Sequence, residues 1–282
     1  MGTGSFIFAS KYSHLGVLGT GLLGPGPTLM CLLLRLVKEG KYKHRTGNWC
    51  KKENSRVLHP NGALMWKSLI PLAANVLTNV GYFIVLTLAW KLSKAAELNQ
   101  GVITTLLSLA SLINIVIFYF KFGEKVSTLH LIGVFLMIAC VICISMAATK
   151  GDKEDYDTNE SLGLSQTASG IAAVVFGILS AIFMSTKHYF IRQYKSNYPG
   201  VDMGIDSGLI EFMIFSILLI PLRDNFAYTW TDLLIGSIAG ILGCLGRIFI
   251  AIGISVGIAG PAQSLMSTHA LHQTFWSAVV AG

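Results

Sequence analysis

The residues best able to do chemistry stand inside long apolar runs. Arg247 lies near the middle of one, on a helical face made of Gly236, Gly240, Gly243 and Ala251. Small residues let a neighbouring backbone come close, so the guanidinium projects into a tight helix crossing; facing lipid it would cost roughly 3 kcal/mol or more. An arginine so placed grips a carboxylate or phosphate through two parallel N–H donors. The alternative is a structural pair with Glu211, the only acid well inside an apolar run, and a gating pair would satisfy both readings. Lys187 extends a face of Gly177, Ser180 and Met184 near the end of its run, where it either reaches into a site or snorkels to the interface. His188 beside it reads as interfacial. His269 and His272 share a face with Gln273 and Trp276. Two histidines at i, i+3 can relay a proton or begin a metal site, but no third ligand is evident and polar packing is the plainer account, so no metal is expected.

Two polar stripes surround these groups. Asn75, Thr78, Asn79 and Tyr82 fall at i, i+3, i+4 and i+7, and asparagine in hydrocarbon costs enough that the stripe must meet other helices, water or a solute. Gln100, Thr104, Ser108, Ser111 and Asn114 share one face of the next run, with Leu, Ile and Val on the other. That second stripe recurs at an offset of 159 residues, where Thr104, Thr105, Ser108, Ser111 and Asn114 fall on Gln263, Ser264, Ser267, Ala270 and Gln273. Gly81, Gly101 and Gly123 likewise fall on Gly240, Gly260 and Gly282. The Asn75 stripe has no echo, since Leu234, Ser237, Ile238 and Ile241 stand opposite it.

The elements that must position these residues are membrane helices. Hydrophobic residues make up 53% of the chain and charged residues 12%, against about 25% charged in a soluble domain. Runs of about 20 apolar residues, enough to cross about 30 Å of hydrocarbon, occupy 15–36, 64–90, 98–120, 129–148, 169–192, 204–222, 233–257 and 261–281. The first is interrupted by Gly24-Pro25-Gly26-Pro27, as a kink or a binding-site break, and no basic cluster marks it as a signal peptide. Residues 98–120 and 129–148 form a hairpin around the charged corner Lys121-Phe122-Gly123-Glu124-Lys125.

The stretch 38–61 holds seven basic residues against two acids, which places it in the cytoplasm, and alternate loops then divide Lys and Arg eleven to six. The acidic linker 150–168 falls on the other side and separates a first unit, 1–149, from a second, 169–282. The net charge of +7 is explained by this topology, so no nucleic acid is expected. The five cysteines show neither a disulfide framework nor a zinc spacing, and no cofactor is called for. No activated serine, clustered His/Asp set or nucleotide loop points to an enzyme.

The run 95–145, with its polar helix, Phe122-Gly123-Glu124-Lys125 and Leu131-Ile132-Gly133, resembles the EamA-type unit of the drug/metabolite transporter superfamily. The stretch from Gly260-Pro261-Ala262-Gln263 to Gly282 is similar to the matching helix of a second unit. The resemblance implies an all-α multipass bundle of ten helices in two inverted repeats, carrying a small organic solute by alternating access. About eight of those helices are present, with one span before residue 64 in place of two and the second Gly-Glu corner cut short at Gly282, as in a truncated sequence.

The expected partners are a small-molecule solute and the bilayer, with a homodimer left open and plasma membrane and endomembrane not distinguished. Expected solute contacts are Arg247, Asn75, Asn79, Tyr82, Gln100, Thr104, Ser108, Gln263, Ser267 and Lys187, with Glu211, His269 and His272 as coupling or gating groups. The readings beside a metabolite transporter are a nucleotide-sugar or sugar-phosphate exchanger, favoured if Arg247 and Lys187 face one cavity, and a non-transporting membrane scaffold.

Overall fold

A computed structural model of the chain describes residues 13–47, 65–98, 102–103, 106–125, 128, 131–133, 135–136, 139, 164–221 and 228–256. All regular structure among them is helical. A 3-10 helix, Ser13–Leu23, precedes α1 (Pro25–Thr46), α2 (Trp66–Ala95), α3 (Leu109–Phe122), α4 (Gln166–Gln193), α5 (Gly200–Ile217) and α6 (Trp230–Val256). Five helical stretches are long and apolar enough to cross a bilayer: Leu18–Thr46, Trp66–Ala95, Gln166–Gln193, Gly200–Pro221 and Trp230–Val256. This is the anatomy of an integral membrane protein.

The burial pattern fits lipid as the outer solvent. Ile171, Val175, Ile178 and Ile182 form an exposed stripe on α4, while Ala173, Gly177, Ser180, Ala181, Ser185 and His188 on the other face are buried. In water such a stripe would be an aggregation surface; in a bilayer it is solvated. Small inward residues let helices meet closely, and the α2–α4 and α1–α5 interfaces are the most extensive.

Several expected boundaries shift. The break in the first run is real: the 3-10 helix gives way to the α-helix at Gly24, with proline at the first helical position where a missing N–H costs nothing. The helix then runs on to Thr46, not 36. Straight-chain Arg, Lys and Glu favour helix and Arg35 pairs with Glu39 one turn on, so Lys38, Lys41, Lys43 and Arg45 are helical where a loop was expected. The single helix expected over 98–120 is interrupted by a turn at residues 107–108, and regular α-helix begins at Leu109. Of 129–148 only a few residues are described, all helical, and 261–281 lies outside the described residues.

One end of the bundle is laced by charge. Gly123 takes a left-handed φ of 65° that ends α3 and turns Glu124 toward α4, where Arg192 meets it at 2.7 Å. Arg192 also donates to the Ile254 carbonyl at 2.9 Å, at the negative end of the α6 dipole. Lys38 pairs with Asp202, and Asp206 takes Arg35 at 3.5 Å and the Tyr198 hydroxyl at 2.5 Å. The middle of α1, the last turns of α3, α4 and α6 and the first two turns of α5 therefore lie at one end, with α1 running on beyond it, on the side that charge counting assigns to these helix ends.

Candidate functional site

Four polar or charged side chains from four helices meet in the interior. Lys187 on α4 donates to the Asn79 carbonyl oxygen on α2 at 2.9 Å. The Asn79 amide nitrogen donates to Glu211 on α5, whose carboxylate also accepts both contacts from Arg247 Nη1 on α6. Asn79 and Glu211 are buried, and Lys187 is half-buried. The cluster lies between about 9 and 20 Å along the helices from the charge-laced end, at 1.5 Å per residue. The guanidinium is further held over the Phe212 ring at 4.3 Å and the Phe83 ring at 5.7 Å.

The helices present these groups for identifiable reasons. Gly240 sits against the Leu23 carbonyl and the Pro27 ring, so α6 approaches the break in the first run with no room for a side chain. A side chain added at Gly208 on α5 would stand 3.3 and 3.4 Å from the sulfurs of Cys31 and Cys244, so the bare backbone there lets α1, α5 and α6 come together one turn from Glu211 and Arg247. Those two thiols are themselves 3.4 Å apart and free. Sequence spacing had no means of pairing them, since they stand 213 residues apart.

A small cavity beside the cluster has room for about one water molecule. Asn75, Lys187, Ser207, Glu211, Cys244 and Arg247 line it. Apolar clusters lie to either side, one around Leu86, Trp90, Leu22 and Leu23, the other around Leu72, Ile191, Tyr198 and Ile254 near the charge-laced end.

Of the residues expected from sequence, Asn75, Asn79, Lys187, Glu211 and Arg247 come together here. Two expectations are corrected. Lys187 does not snorkel, because Asn79 offers its ammonium an acceptor inside the bundle. His188 is not interfacial: it is buried against α3, with Nδ1 3.0 Å from the Asn114 amide nitrogen. Tyr82 is buried one turn beyond Asn79 on the same face, its ring edge-on to Phe83 and its hydroxyl without a hydrogen-bond partner among the described residues. Ser108, Ser111 and Asn114 are buried as their stripe requires, Asn114 against His188 of α4, but none of the three lines this cavity. Thr78 turns back on its own helix, donating to the Ala74 carbonyl at 2.6 Å. Gln100, Thr104, Gln263, Ser267, His269 and His272 lie outside the described residues. Sequence reasoning missed Ser207 and Cys244, whose types are too common in membrane helices to stand out. Among the described residues, no three His, Cys, Asp or Glu side chains converge as metal ligands. No protein-family model, no curated protein and no solved structure matches the chain.

Proposed function

We propose that this chain is a secondary transporter that moves a small organic metabolite across its membrane by alternating access. The observation that carries the reading is the chain of bonds from Lys187 through Asn79 and Glu211 to Arg247, set around a cavity inside the bundle. Intramembrane charge is expensive, and replacing a buried ion pair by packed apolar residues is often neutral or stabilising, so architecture alone does not call for one here. A scaffold would bond its inward stripes fully from helix to helix. Here the Tyr82 hydroxyl and the Asn114 carbonyl oxygen are buried without partners among the described residues.

Helix directions support two inverted units of the EamA type, with about eight spans of a ten-helix plan. α1 runs toward the charge-laced end and α5 away from it; α2 runs away and α6 toward it. α1 packs on α6 as α5 packs on α2, the exchange a two-fold axis in the membrane plane would generate, whereas the α5–α6 interface has no α1–α2 counterpart of like extent among the described residues. The offset of 159 pairs α2 with α6, and in one of its glycine pairs both members leave no free room for a side chain, Gly81 against the Phe183 ring and Gly240 against Leu23 and Pro27. A site with room for one water is shut to a metabolite, so solute binding requires these helices to part at one end.

A second reading, exchange of a nucleotide sugar or sugar phosphate, is favoured by one observation: Arg247 and Lys187 line the same cavity. The test of the function is uptake by proteoliposomes across a panel of labelled metabolites. Saturable uptake above protein-free vesicles, abolished by Arg247→Met, is expected; a panel with no protein-dependent uptake contradicts the reading.

A further inference from the structure

The interior cluster holds two cations and one carboxylate, and no second acid joins them among the described residues. Of the chain's 14 acidic residues, only Glu211 stands well inside the apolar part of a described helix. Asp202 and Asp206 open α5 and are met by Lys38, Arg35 and Tyr198, and Glu124 is met by Arg192. Asp232 is engaged by Thr229 at the opposite end of α6. The stretches outside the described residues do not repair the deficit where they are apolar, since 126–149 and 257–282 contain no Asp or Glu at all.

The two cations are not equivalent. Arg247 is neutralised by Glu211 and covered by two aromatic faces, whereas Lys187 is met by a neutral amide oxygen. A half-buried ammonium beside a cavity, with no carboxylate of its own at ion-pair distance among the described residues and the field of Glu211 shared with Arg247, is a site for an anion.

We propose that the site takes an organic anion, a carboxylate or a phosphate ester, whose charge lands on Lys187 while Arg247 stays on Glu211. This rests on the transporter reading for its setting and names its substrate class. It also moves recognition away from Arg247, whose part is to hold Glu211 and through it the orientation of Asn79. The Asn79 carbonyl oxygen occupies the acceptor position that the anion takes over, and the amide keeps its donor bond to Glu211. With Lys187 protonated the empty cluster carries one positive charge; a single carboxylate landing on it makes it neutral, and a phosphate monoester, near −2 at neutral pH, leaves its second charge to other donors of the opened site.

The test is thermal unfolding of the purified full-length protein in detergent with matched probes: glucose 6-phosphate and glucose, uridine monophosphate and uridine, succinate and succinamide. At least one anion should raise the melting temperature saturably where its neutral counterpart does not. Lys187→Gln should weaken that anion roughly thirtyfold, the loss of one charge-assisted contact, and Lys187→Arg should largely preserve it. Without ligand, Lys187→Gln should melt no lower than the wild type, because it removes an unbalanced charge. Neutral probes stabilising as well as anions, no anion stabilising at all, or a ligand-free Lys187→Gln protein melting well below wild type would each overturn the proposal. Proteoliposome uptake separates the two claims. An anion that binds through Lys187 but never crosses upholds the site and sinks the transport reading, and a neutral solute that crosses without an anion does the reverse.

Discussion

At the scale of single residues, Arg247 and Glu211 define one another. The arginine in a face of small residues is visible in the sequence, and a charge at that depth requires a partner. Its identity follows because Glu211 is the only acid at comparable depth among the described residues. Breaking a buried pair from one side leaves the other charge stranded, at about 3 to 5 kcal/mol. Arg247→Met and Glu211→Gln should therefore each lower the melting temperature sharply, whereas the double change Arg247→Met with Glu211→Leu should melt higher than either single variant. If uptake also returns in the double variant, the pair is structural only; continued loss of uptake in a stable double variant is the expected result. Asn79 was legible only as one member of a stripe. Its position between Lys187 and Glu211 depends on the lateral packing of α2, α4 and α5, which helical spacing within one run does not encode.

At the scale of elements, the site is assembled by contacts between helix backbones. Gly240 is the clearest case, since any side chain there would run into the Leu23 carbonyl and the Pro27 ring. Gly240→Val should cost about 2 kcal/mol or more by overpacking, measured by thermal unfolding in detergent. Gly40, inside α1 with nothing within 4 Å of where an added methyl group would stand, should behave oppositely. Gly40→Ala should gain about 0.5 to 1 kcal/mol from helix propensity; equal losses at both glycines would contradict the packing account. Sequence patterns located five membrane-crossing helices to within a few residues at most of their ends, because apolar length is a strong signal. They misplaced the end of α1, where propensity and the Arg35–Glu39 pair extend a helix beyond the lipid-like segment. They also missed the turn at residues 107–108, which carries no glycine or proline to announce it.

At the scale of the molecule, charge gathers at one end and the proposed topology puts that end in the cytoplasm. The acidic linker then faces the opposite compartment and carries Asn159-Glu160-Ser161, an acceptor pattern for N-glycosylation. In a glycosylating host the protein should show a mobility shift that peptide N-glycosidase and Asn159→Gln both remove. Modification of an acceptor inserted in 48–60, in place of Asn159, would invert the topology.

The central claim, that the Lys187–Asn79–Glu211–Arg247 cluster borders a site reached from both sides of the membrane in turn, is tested most directly at Ser207. This residue lines the cavity from α5 and is nearly isosteric with cysteine. With the five native cysteines replaced, Ser207→Cys in sealed vesicles should be labelled by a membrane-impermeant thiol reagent added on either side, and solute that occupies the site should slow both reactions. Labelling from neither side, or from one side only under every solute condition, would contradict alternating access at this cluster.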